Sequence, residues 1–122
     1  MTLVSTNWLN ENLRKVKIID CSWHMPLTQR DGYSEYLEEH IPEAIFFDID
    51  KNSDPNTDLP HMLPKANYFQ KVVSDLGITN ENKIVIYDNS DVFSACRCWF
   101  TFFYFGHNPK KLSVLNGGLK KW

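Results

Sequence analysis

Lys83 to Trp99, KIVIYDNSDVFSACRCW, restricts the fold more than any other stretch of this chain. Ile84, Val85, Ile86 and Tyr87 form an unbroken apolar run with β-branched residues, the pattern of a strand buried on both faces of a parallel sheet. Asp88, Asn89, Ser90 and Asp91 follow, four small polar residues suited to a tight turn and a helix cap, and a long apolar stretch comes next. Strand, loop and helix start, in that order, predict an α/β domain whose ligands and nucleophiles would gather at the carboxyl ends of the strands. Yet the first position after the strand is Asp88, and the loop holds a second acid, Asp91. Two carboxylates facing a helix start would satisfy its amides themselves and repel an anionic substrate, so the loop reads as occupied rather than catalytic.

The 122 residues suit one domain, 1–122, with 43% hydrophobic and 23% charged residues. A net charge of −2 and a pI near 6.0 give no electrostatic reason to expect nucleic acid or a membrane surface as partner. No apolar run approaches the roughly 20 residues of a membrane span, and MTLVSTNW lacks the features of a signal peptide. Three cysteines without framework spacing agree with a reducing, cytoplasmic setting. Cys96 and Cys98 lack a second ligand pair and point different ways on a helix, so they read as core thiols, with no metal and no cofactor expected.

Along the chain, Leu3 and Val4 suit an edge strand, Ser5 or Thr6 a helix cap, and Val16 to Asp20 a second strand. Trp23 follows in a loop at the sheet's carboxyl end, as core lid or pocket wall. A short helix is expected over Ser34 to Glu39, with Asp31 and Ser34 as candidate caps and Tyr33, Tyr36 and Leu37 inward, then a strand at Ala44 to Phe47. The polar chain from Asp48 to Pro64 is a long loop of the kind that carries function. Phe69, Val72, Val73 and Leu76 have the spacing of a helix laid on a sheet, and Gly77 ends it. Phe93 to Phe105 is expected to be a helix apolar almost all round, which asks for cover beyond the sheet and favours self-association of the chain on its own. Lys111 to Leu115 is the last strand, and a final helix begins at Leu119 and is truncated by the chain end. The alternation predicts a three-layer α/β domain, a parallel sheet of about five strands with helices on both faces.

Several of these residues resemble a known family. Tyr36 to Phe47 (YLEEHIPEAIFF), with Asp20 ahead of it, is similar to the first rhodanese signature. The resemblance continues through His61-Met62-Leu63-Pro64, Tyr87-Asp88 with Ser90, Arg97 with Trp99, Phe105-Gly106-His107 and Leu115-Asn116-Gly117-Gly118. It covers nearly the whole chain, and it is to the N-terminal half of tandem-domain thiosulfate and 3-mercaptopyruvate sulfurtransferases. One departure is Glu43, where the signature carries Gly; a left-handed turn there would strain the chain mildly.

The resemblance implies a reaction in which a loop cysteine takes sulfur from a small-molecule donor, forms a persulfide, and passes sulfur to cyanide or to a thiol acceptor such as thioredoxin. It implies that this cysteine lies in a C-terminal catalytic rhodanese domain of the same parent chain, while Asp88 takes the slot here and leaves this half non-catalytic. Trp23, Phe93 and Ser94 would then wall the cleft between domains, with plain packing the alternative for both aromatics. Arg97 either binds an anion or pairs with Asp88, Asp91 or Asp20, the pairing being favoured. His61 and Asp50 form a candidate proton relay for the mercaptopyruvate branch, and a surface histidine is the other reading. His24, His40 and His107 read as structural. The competing function is a stand-alone inactive module used for docking or regulation. A related phosphatase is excluded, since no cysteine-arginine phosphate loop is present.

Overall fold

Ile84 to Tyr87 form β4, and all four residues are buried, as a strand covered on both faces must be. The computed structural model describes residues 2–122. Around β4 lie β1 (Thr2–Val4), β2 (Lys17–Asp20), β3 (Ile45–Phe46) and β5 (Leu112–Leu115), in the parallel order β1-β5-β4-β2-β3. Ile19 stands opposite Ile86 on one side and Ile45 on the other. The helices are α1 (Thr6–Asn12), α2 (Gly32–Glu38), α3 (Ala66–Asp75), α4 (Ser94–Tyr104) and α5 (Gly118–Lys121).

Strand alternation divides the core in two. Ile19, Ile84, Ile86, Leu112 and Val114 face α3 and α4, where Phe69, Cys98 and Phe102 meet them. Ile18, Val85, Tyr87 and Leu115 face the other way, onto Leu9 of α1 and Ile41, with Leu119 and Trp122 packed alongside. Phe102 is 1% exposed and stacks edge-on against Phe69 at 5.1 Å, burial worth roughly 1.5–3 kcal/mol. The expected three-layer α/β fold is what forms.

Local signals account for most boundaries. Ser5 caps α1 by accepting from the Trp8 amide at 3.0 Å, and Asp31 caps α2 through the Ser34 amide at 2.9 Å. Glu43 does sit left-handed, at φ +70. In the β5–α5 turn, Gly118 (φ +60) lies so close to the β4 loop that a Cβ would stand 2.6 Å from the Asp88 carbonyl, which accepts the Leu119 amide at 3.0 Å.

Three expectations need correction. Tyr33 and Leu37 do not face inward: they are 50% and 60% exposed, because short α2 lies near the sheet edge and touches the core chiefly through Tyr36. Helix α2 runs from Gly32 to Glu38 rather than from Ser34 to Glu39, since Asp31 takes the cap. Cys96 is exposed, whereas Cys98 is fully buried; residues two apart on a helix face different sides, and only Cys98 falls on the sheet-facing stripe with Ala95 and Phe102.

Candidate functional site

The loops after β2, β3 and β4 meet at the carboxyl ends of the strands, and serines fasten them together. Ser22 Oγ donates to Asp20 at 2.7 Å and accepts the Asn89 amide at 2.8 Å. The Trp23 amide donates to Ser94 Oγ at 3.1 Å, and Ser90 Oγ donates to the Trp23 carbonyl at 2.5 Å. The loop carrying Trp23 is thus fixed to both ends of the β4–α4 connection. Ser22 and Ser90 were not anticipated as site residues; the only sequence signal for Ser22 is its place two residues after buried Asp20.

Asp88 fills the start of α4. Its Oδ2 accepts the Ala95 amide at 2.7 Å and its Oδ1 the Ser90 amide at 3.4 Å, so the amides that would cradle an anion are already spoken for. Asp91 does not share this work: it is exposed and accepts neither the Ala95 nor the Ser90 amide, so one carboxylate, not two, caps the helix start. Beside Asp88 opens a cleft of about 190 Å³ lined by Phe93, Cys96, Gly117, Gly118 and Lys120. Phe93 is left-handed (φ +53) and 73% exposed, which rules out core packing.

Burial pushes the carboxyl pKa of Asp88 up, against the lowering effect of its two amide bonds, and burial does the same to Asp20 despite its bonds from Ser22. A raised folded-state pKa means that the folded chain holds its protons longer than the unfolded one. The stability contribution is therefore complete below the unfolded pKa and is lost as pH rises through the folded pKa. Asp88→Asn keeps an acceptor for the Ala95 amide and removes the charge. Its melting temperature relative to the parent chain is expected to climb, by on the order of a few degrees, between acid and neutral pH. A difference that stays constant across that range would contradict the assignment.

The long loop brings a second group to the same edge. His61 Nε2 lies 2.6 Å from Asp50 Oδ1, and the Trp23 indole N–H reaches both Asp50 oxygens at 3.0 Å. The Trp23 and His61 rings meet edge-on at 4.6 Å. The His61 side chain is 21% exposed, which sets it apart from a free surface histidine. Arg97, on α4, donates Nη2 to the His61 carbonyl and Nε to Thr101 Oγ1 at 3.3 Å. The expected pairing of Arg97 with Asp88, Asp91 or Asp20 does not occur. Asp88 and Asp20 already face backbone and serine donors, and Arg97, on the next turn, is turned toward the long loop. The structure so gathers Trp23, Ser94, Asp50, His61 and Arg97, with Phe93 and Asp88 around the neighbouring cleft.

The other histidines bond within their own surroundings: His24 is buried against Glu35 at 3.0 Å, His40 bonds the Tyr36 carbonyl and His107 the Asn82 carbonyl. Burial and the neighbouring Cys98 push the Cys21 thiol well up, which keeps it protonated and unreactive.

The rhodanese-like domain profile matches residues 5–122. Thiosulfate/3-mercaptopyruvate sulfurtransferase 1, mitochondrial, of Arabidopsis thaliana is 49% identical over 122 residues, which are 98% of this chain and 32% of that protein. Human 3-mercaptopyruvate sulfurtransferase is 42% identical over 128 residues, 98% of this chain and 42% of its own. The crystal structure of a 3-mercaptopyruvate sulfotransferase from Escherichia coli superposes with a TM-score of 0.91 at 38% identity, covering 100% of this chain and 47% of that one. The chain therefore spans 32–47% of the length of these relatives. On its profile match, its parallel five-stranded sheet and its likeness to these proteins, the chain belongs to the rhodanese-like domain family.

Proposed function

We propose that this domain is the non-catalytic half of a sulfurtransferase, closing over a second rhodanese domain whose cysteine carries the persulfide. The observation that carries the reading is the Asp88 carboxylate seated on the Ala95 amide, where a sulfur-carrying thiolate would need that donor for itself. The exposed aromatics of α4, Phe100, Phe103 and Tyr104, together with Phe93, supply a surface for the partner domain to cover, and the same surface supports self-association when it is bare. A docking module acting alone would use that surface too; it lacks any need for the His61–Asp50 pair.

The donor is a small molecule, 3-mercaptopyruvate or thiosulfate, and the acceptor cyanide or a thiol such as thioredoxin. With mercaptopyruvate, the thiolate of the catalytic domain attacks the donor sulfur, the carbon–sulfur bond breaks, and the enolate of pyruvate leaves. A proton must then pass from the donor's sulfur to its carbon, a task suited to His61 held by Asp50. Thiosulfate releases sulfite and moves no proton. The three free cysteines fit a reducing compartment such as the cytoplasm, and no helix among the described residues is long and apolar enough to cross a membrane.

The test is to treat the chain with each donor and then with cyanide, and to weigh it. No thiocyanate and no added mass of a sulfur atom are expected. Sulfur found on Cys21, Cys96 or Cys98 would overturn the reading.

A further inference from the structure

We infer that Trp23 and Arg97 are positioning residues that lock His61 with its proton on Nε2 and leave Nδ1 as the base. The inference rests on the relay proposed above and names its working atom. A carboxylate only accepts, so with Asp50 Oδ1 at 2.6 Å a neutral imidazole must place its single N–H at Nε2. The lone pair is then on Nδ1. This reverses the serine-protease arrangement, where the carboxylate holds Nδ1 and Nε2 does the chemistry.

Asp50 needs fixing before it can fix anything, because its side chain is 66% exposed on a loop. The Trp23 indole supplies that restraint by bridging both carboxylate oxygens at 3.0 Å, and its ring packs edge-on against the imidazole at 4.6 Å. Trp23 is itself anchored through its backbone to Ser94 and Ser90, so the orientation of Asp50 is set from the β4–α4 connection.

Arg97 acts on the other side of the histidine. His61 is left-handed at φ +55, a conformation that costs a non-glycine residue on the order of 1 kcal/mol. The Arg97 guanidinium holds the carbonyl of that residue. Its partners are neutral oxygens, of His61 and Thr101, and no carboxylate lies within ion-pair distance of it among the described residues. Burial strips water from this cation and lowers its pKa, which leaves the oxygens of His61 and Thr101 as its partners in place of solvent. The bond to the His61 carbonyl holds the backbone from which the imidazole reaches Asp50.

The experiment is long-range nitrogen–proton NMR of the chain with labelled histidine at about pH 8.5, well above the reference value of a free imidazole. His61 is expected as one tautomer, protonated at Nε2. Trp23→Phe keeps a ring beside the imidazole and loses the donor; Arg97→Ala loses the carbonyl clamp, and Arg97→Lys restores a donor to it. The first two are expected to lower the tautomer ratio roughly tenfold, the third to recover most of it. Signals of His24, His40 and His107 report whether each variant is folded. The parent spectrum decides the Nδ1 assignment even where a variant does not fold: a proton on Nδ1, or both tautomers equally populated, overturns the proposal. So does an unchanged ratio in both folded Trp23→Phe and Arg97→Ala. The relay fails separately, by normal mercaptopyruvate turnover without His61, and that result leaves the spectrum to judge the positioning.

Discussion

Replacing His61 with alanine in a chain that joins this domain to the catalytic one proposed for it is expected to cut turnover of 3-mercaptopyruvate by about 10²–10⁴-fold, the usual worth of a positioned acid–base group, and to leave thiosulfate turnover near its original rate. The asymmetry follows from the chemistry of the donors. Mercaptopyruvate cannot become pyruvate until a proton reaches its carbon, whereas sulfite departs from thiosulfate as it stands. His61 has the geometry for the first task, being held at 2.6 Å by Asp50 and partly shielded by Trp23. The measurement is kcat/KM for both donors across a range of pH. Equal losses on the two donors would assign His61 to closing the cleft, and no loss on either would remove it from the reaction.

Gly32→Ala is expected to destabilise the domain by about 3 kcal/mol or more. Gly32 is buried at the start of α2, and a Cβ there would stand 2.2 Å from the Ser22 carbonyl oxygen and 3.0 Å from its carbon. Both are backbone atoms, which cannot swing aside as a side-chain tip can. Relief requires α2 or the Ser22–Trp23 loop to move. Ser22 is tied to Asp20 and Asn89, and Trp23 to Ser90 and Ser94, so the displacement would break bonds on both sides of the site. A urea titration gives the change directly. A loss under about 1 kcal/mol would show that α2 yields easily and that the close approach is not structurally required.

What could be read from sequence was what is written locally. The β4 run, the apolar stripe of α3, the caps at Ser5 and Asp31 and the Asp88 carboxylate on the α4 amides depend on neighbours within a few residues, and each stands where that reading put it. Arg97 was paired with Asp88, Asp91 or Asp20 on charge, but its partner is the neutral carbonyl of His61, 36 residues away, and only the folded path of the long loop brings the two together. Cys96 and Leu37 failed for an angular reason: composition marks a helix as apolar, but which side faces the sheet depends on its rotation about its own axis. Trp23 combined both difficulties. Its indole N–H serves Asp50, 27 residues on, and no periodicity records such a bond.

The seat that Asp88 has taken has an evolutionary side. Its carboxylate completes the start of α4, so deleting it strands the Ala95 amide, a defect of about 1–3 kcal/mol for a buried donor. Any residue replacing Asp88 would have to supply another acceptor for that amide. On the function proposed above, the fold itself thus holds Asp88 in place, independent of any selection on the chemistry of a partner domain.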